Sequence, residues 1–161
     1  MKPKEIAYIA ILTCVALIIF AVESLLPPPV PVPGIKPGLA NIITLIALVR
    51  LGRRDAFAVT TLRIVLGTLF AGTPAALLYS LSGGLLSFVT AAVLLKILKK
   101  ERLWVVSVFA AIAHNAAQIC VAAFLVETVQ LFWYLPVLTM SAIVTGAFTG
   151  LCASFVLKYI K

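Results

Sequence analysis

The sequence predicts an all-α integral membrane protein, a bundle of six transmembrane helices with both termini on the cytoplasmic side. Three observations lead there. Of 161 residues, 63% are hydrophobic and 11% charged, against about 25% charged in an ordinary soluble domain, and mean hydropathy is +1.20. The apolar residues gather into runs on the scale of the roughly 20 helical residues that cross a hydrocarbon core. Eleven of the thirteen basic residues fall into four clusters at the edges of those runs: Lys2/Lys4, Arg50/Arg53/Arg54, Lys96/Lys99/Lys100/Arg102 and Lys158/Lys161. The alternating segments are nearly free of positive charge; 27–38 holds only Lys36, and 71–76 and 132–136 hold none. Cytoplasmic loops retain Lys and Arg, so an even number of crossings with every basic loop on one face produces this pattern.

The elements follow in order. Run 5–26 is too long for a signal-peptide core and is followed by Pro27-Pro28-Pro29 rather than a small-residue cleavage site, so it reads as a retained crossing. Segment 27–38, PPPVPVPGIKPG, is too rich in proline for a helix. It reads as a semi-rigid extended loop over the outer surface, with Pro37 at the start of the second helix. Runs 39–51 and 55–71 are short, as befits helices partly surrounded by protein or lining a cavity. Runs 75–98, 103–131 and 134–160 complete the bundle. Residues 1–161 form one membrane domain without a repeat or a low-complexity tail. The net charge of +8 needs no nucleic acid, because the anionic lipids of the cytoplasmic leaflet suffice as its partner.

This topology gives each polar residue a depth. Glu23 lies near the outer end of the first helix and Asn41 in the first outer turn of the second. Arg63 falls about 12 Å into the third, near mid-depth. Tyr79, Ser80 and Ser82 occupy the outer half of the fourth, just above Gly83-Gly84. His114 and Asn115 lie near the midplane of the fifth with Gln118 one turn further out, and Thr139 and Ser141 take outer positions in the sixth. In HNAAQ, the spacings of three and four place His114, Asn115 and Gln118 on one helical face. The polar groups thus converge on the outer half, and the inner half of the first, fourth and sixth spans is nearly bare of strong ones.

A charge at mid-depth costs about 2.5–3.5 kcal/mol even on the insertion scale, so Arg63 must face partners or water. An outward-opening pocket holding Lys36, Asn41, Arg63, Tyr79, Ser80, His114, Asn115 and Gln118 would suit an anionic or zwitterionic small molecule, with Glu23 balancing the charge. A structural reading stands beside each assignment. Arg63 could pair with Glu23 or cap carbonyls, and His114 could be a satisfied core histidine. The amides and Tyr79, Ser80 and Ser82 could join helices by hydrogen bonds, and Gly83-Gly84 could permit close packing or a kink. Glu127 and Gln130 read as solvated. Cys14, Cys120 and Cys152 are isolated in apolar helices and read as small buried side chains. Ala7, Ala10 and Cys14 form a small-residue stripe, either for internal packing or as a docking face for a second membrane protein.

Five ordered motifs, VPGIKPGLANIITLIAL (32–48), LRIVLGTLFAGTP (62–74), LYSLSGGLLS (78–87), AHNAAQ (113–118) and YLPVL (134–138), resemble the Gx transporter family, also described as heptaprenyl diphosphate synthase component I. That family is similar to the substrate-binding S components of energy-coupling factor (ECF) vitamin transporters. The resemblance implies a bacterial cytoplasmic-membrane protein with a substrate site in the outer half. The loop after the first helix would cover it. It also implies that the first helix docks on a coupling subunit driven by ATPases from other chains. In this chain the small-residue signature of that helix is Ala10-xxx-Cys14.

Catalysis is not expected. Prenyl diphosphate synthesis uses clustered aspartates to hold Mg²⁺, an ion that takes oxygen ligands, and Asp55 is the one aspartate here. There is no ATPase motif, no metal-ligand spacing and no nucleophile beside a base, and no cofactor is implied. The expected function is membrane capture of a vitamin-like or cofactor-precursor molecule as the substrate-binding part of an ECF-type transporter. The alternative is a non-catalytic membrane subunit or scaffold in isoprenoid or quinone metabolism.

Overall fold

The computed structural model describes residues 3–27, 38–71, 74–98 and 102–160. Six helices run through them: α1 (Pro3–Glu23), α2 (Asn41–Arg50), α3 (Arg53–Ala71), α4 (Pro74–Ile97), α5 (Leu103–Leu125) and α6 (Leu135–Tyr159), the last entered through a 3₁₀ segment at Val129–Tyr134. The protein is all-helical in its described residues. Four stretches are long and apolar enough to cross a membrane: α1, α4, α5 and Val129–Tyr159. The protein also exposes large apolar side chains along its length, among them Ile11, Ile18, Leu69, Phe124, Val144 and Phe155. Water would not tolerate so much contiguous apolar surface, whereas hydrocarbon solvates it. Exposed Trp104 and Trp133 stand near opposite ends of the bundle, where amphipathic rings settle at membrane–water interfaces.

α2 is the shortest helix, with 10 residues, about 15 Å or half the hydrocarbon thickness. Asn41, Ile43, Thr44, Leu45, Ile46, Ala47 and Leu48 are all buried, so protein surrounds it on every side. The loop that precedes it, 28–37, lies outside the described residues. α2 starts from a tight turn, in which Asn41, Ile42 and Ile43 N–H groups donate to the carbonyls of Gly38, Leu39 and Ala40. Its N-cap, Ala40, offers no side-chain cap. Instead the Glu23 carboxylate at the end of α1 accepts the N–H of Gly38 and, at 2.9 Å, that of Leu39. A carboxylate at a helix start is favourable both as an acceptor and against the helix dipole.

α3 buries one face, Ala56, Val59, Thr60, Arg63, Ile64, Gly67 and Thr68, spaced as one stripe of a helix. α5 and α6 approach most closely. A Cβ on Gly146 would lie 2.7 Å from Val108 Cα, and one on Gly150 2.5 Å from Trp104 Cα, so the GxxxG pair brings the two backbones together. The apolar run predicted to continue α5 to residue 131 is broken at Leu125. Glu127 takes a left-handed φ of 51°, and the Thr128 N–H returns to the Ala123 carbonyl, a Schellman-type closure without the usual glycine.

Packing is layered. At the end carrying the α2–α3 turn, Ile9, Leu45, Leu48, Val59, Phe88, Ala91, Leu103, Val106 and Ala153 make a large apolar core. At the opposite end Tyr79, Ile119, Ala122 and Leu138 make a small one. The strong polar groups lie between the two.

Candidate functional site

Arg63 is the charge on the buried stripe of α3 and is only 4% exposed. Its Nη2 donates to Asn41 Oδ1 at 3.2 Å. Asn41 opens α2, and its Nδ2 lies 3.4 Å from His114 Nδ1, a long hydrogen bond. The His114 ring also packs directly against Gly83. Four helices therefore meet in one chain of contacts: α3, α2, α5 and α4. Glu23 is near enough for its charge to act on Arg63, although its hydrogen bonds go to the amides that start α2. The structure thus differs from a direct Arg63–Glu23 pair. The carboxylate holds the turn that presents Asn41, and Asn41 receives the guanidinium.

Glycines make the approach possible. Gly38, at φ +81°, lies so close that a Cβ would be 3.0 Å from Asn41 Nδ2 and 3.3 Å from the His114 ring. On α4, a Cβ at Gly83 would be 2.9 Å from both Gln118 Cγ and the His114 ring. One at Gly84 would meet Ile64 Cδ1 at 2.5 Å and Arg63 Nη2 at 3.7 Å. The Gly83-Gly84 pair thus lets the α4 backbone lie directly against the polar faces of α3 and α5.

Three buried polar atoms around this cluster have no hydrogen-bond partner: Arg63 Nε, Asn115 Oδ1 and Gln118 Oε1. The other half of the Asn115 amide donates to the Leu138 carbonyl at 2.9 Å, which ties α5 to α6. Leaving a buried polar group unpaired costs roughly 1–3 kcal/mol. The cluster therefore holds one open donor and two open acceptors in a buried interior, an arrangement that a polar guest or a water molecule would complete.

The other expected residues distribute around it. Tyr79 is buried but packs with Ile119, Ala122 and Leu138 in the small apolar core, away from the Arg63 contacts. Ser80 is buried on the same face of α4 as Gly83, Gly84 and Ser87. Lys36 and the proposed covering loop at 30–37 lie outside the described residues. Ala7, Ala10 and Cys14 are exposed, because α1 turns Ile9, Thr13, Ala16, Phe20 and Glu23 inward. Internal packing is therefore not the role of that stripe. The cysteines also correct the expectation of buried thiols. Cys14 and Cys120 are exposed and Cys152 is half-buried, which an apolar side chain tolerates where the surroundings are themselves apolar.

A seam of hydroxyls was not anticipated. Thr44 and Thr60 are 3.1 Å apart, and Ser107 and Thr149 are 2.9 Å apart. Together with Ser87, Thr145 and Asn41, Thr44, Ser107 and Thr149 line a cavity of about 10 Å³, room for about one water molecule. The end that carries the α2–α3 turn is thus apolar in its core but not without hydroxyls. Helical spacing carried a signal for this: Thr44 follows Asn41 by three, Thr60 precedes Arg63 by three, Ser87 follows Gly83 by four and Ser107 precedes His114 by seven. Each hydroxyl continues the face of a site residue by one or two turns.

Among known proteins, the family described as heptaprenyl diphosphate synthase component I matches residues 12–156, nearly the whole chain. No curated protein matches, and no solved structure does.

Proposed function

The chain belongs to the heptaprenyl diphosphate synthase component I family, and from that premise we propose that it is a membrane-embedded, non-catalytic component that binds a small polar molecule at the Arg63 cluster. The observation that carries this reading is the hydrogen-bond deficit around Arg63. A guanidinium on α3 and two amides on α5, one beside His114 and one a turn beyond it, are each buried, with one donor and two acceptors open. A structural strut would close those valences; a binding site leaves them for its ligand. The role that fits is substrate capture and passage in the manner of an ECF S component, with six crossings and both termini and the basic end inside. The segment at 30–37 would cover the ligand, and the exposed Ala7, Ala10 and Cys14 face would dock on a coupling subunit served by separate ATPases.

Mass spectrometry of small molecules that co-purify with the protein tests this. A polar metabolite is expected with the wild type and at least tenfold less with Arg63→Ala, the loss of one charge-assisted contact. Equal retention by Arg63→Ala would remove Arg63 from the site.

A second reading rests on the family's description: a membrane subunit or scaffold for a soluble prenyltransferase. With one aspartate in the chain, the Mg²⁺-diphosphate chemistry would belong to that partner. Coexpression separates the two readings. Co-purification with an ECF coupling subunit favours transport. Co-purification with a soluble prenyltransferase, without uptake of any small molecule, favours the scaffold.

A further inference from the structure

The polar cluster is not the only place where the bundle can hold a ligand. At the opposite, basic end a cavity of about 410 Å³ opens between the α2–α3 turn and the last turns of α4, lined by Leu48, Val49, Gly52, Arg53, Ala92 and Leu95. Its walls are apolar except for Arg53. Gly52 holds φ at +86°, and a Cβ there would find nothing within 4 Å, so this side of the cavity is open. The rim is basic. Arg50 and Arg54 flank the turn, Lys96 follows Leu95, and all three are exposed. Asp55 is the one acidic residue in the first turn of α3, which leaves the rim positive.

We propose that this cavity binds an anionic phospholipid of the surrounding leaflet, its phosphate on Arg53 and an acyl chain against Leu48, Val49, Ala92 and Leu95. A free phosphate would gain nothing from four apolar walls, and a zwitterionic lipid would gain little from the rim. A phosphodiester joined to hydrocarbon uses both. Guanidinium forks match phosphate oxygens in pairs, and basic pockets between helices at the cytoplasmic side are where anionic headgroups gather. The proposal does not depend on the function assigned to the Arg63 cluster.

The test is native mass spectrometry of the protein released from bilayers of equal phosphatidylglycerol and phosphatidylcholine. The wild type is expected to retain phosphatidylglycerol about tenfold over phosphatidylcholine, the scale of one charged hydrogen bond. Arg53→Glu should abolish the preference. Val49→Trp, which fills the cavity and leaves every charge in place, should abolish retention. Arg102→Glu alters an exposed basic residue that does not line the cavity, and should behave as wild type. Equal retention of the two lipids would overturn the proposal. So would equal losses in Arg53→Glu and Arg102→Glu, which would mean diffuse surface charge. Farnesyl diphosphate at equal concentration should leave phosphatidylglycerol bound; displacement would overturn the phospholipid assignment.

Discussion

Arg63 shows how a single buried cation organises its neighbours. It sits one helical turn beyond Thr60 on the stripe of α3 that faces the protein. The cost of burying it is offset by Asn41 and by the nearby charge of Glu23, but not completely, since Nε is unpaired. The glycines beside it differ in what they tolerate. The closest atom to a Cβ at Gly84 is the terminal methyl of Ile64, which can rotate away. At Gly83 the Cβ would press on the rigid His114 ring and the middle of the Gln118 chain, neither of which is the free end of a flexible side chain. Gly83→Ala is therefore expected to destabilise the protein by about 1–3 kcal/mol. Gly84→Ala should come out within about 1 kcal/mol of wild type, because the helix-propensity gain offsets a cheap rotamer change. Thermal denaturation in detergent reads both; the reverse order would show that the ring moves more easily than the methyl. The prominence of Arg63 was legible from the sequence, since any charge in an apolar run stands out. Its partner was not. Glu23 or a neighbouring carbonyl was the expected partner, and only the turn at 38–40 puts the Asn41 amide against the guanidinium and the carboxylate on the backbone.

At the scale of elements, short helices and close contacts carry the architecture. α2 lacks a capping side chain and has only 10 residues, so it depends on Glu23 at its start and on burial around its circumference. α5 and α6 depend on a different device. Gly150 has backbone, not side chain, as its nearest neighbour, and backbone cannot step aside without parting the helices. Gly150→Ala is expected to destabilise more than Gly83→Ala, by several kcal/mol, and to lower the yield of monodisperse protein. Equal melting of the two variants would mean that α5 and α6 slide easily. The end of α5 was not legible in the sequence. FLVETVQLFWY contains no glycine or proline, and a glutamate in left-handed geometry is a choice made by tertiary packing, not by local preference.

For the molecule as a whole, the clustering of basic residues becomes a physical polarity. The large apolar core, the basic rim and the cavity beside Arg53 share one end; the small core around Tyr79 and Leu138 marks the other. Topology mapping tests this at its own scale. In a variant with Cys14, Cys120 and Cys152 replaced by Ser, a cysteine at exposed Glu127 should react in whole cells with a membrane-impermeant maleimide. One at exposed Arg102 should react only after permeabilisation. Labelling of both from the same side would refute the proposed orientation.

Hydropathy and charge are sums over segments, so they survive any error in the rotation of a helix. For that reason the chain alone determined the helical class, the membrane-like exterior, the basic end and the presence of a costly cation in the third helix. Contacts have no such tolerance, because each residue turns a helix face by about 100°. Whether Arg63 meets Asn41 or Glu23, whether Tyr79 joins the polar cluster or the apolar core, and whether Ala7, Ala10 and Cys14 face inward were therefore settled by packing. The glycines decided much of it, since close approach at Gly38, Gly83 and Gly84 brings α2 and α4 to His114 and Arg63, and no sum along the sequence records which backbone will come near.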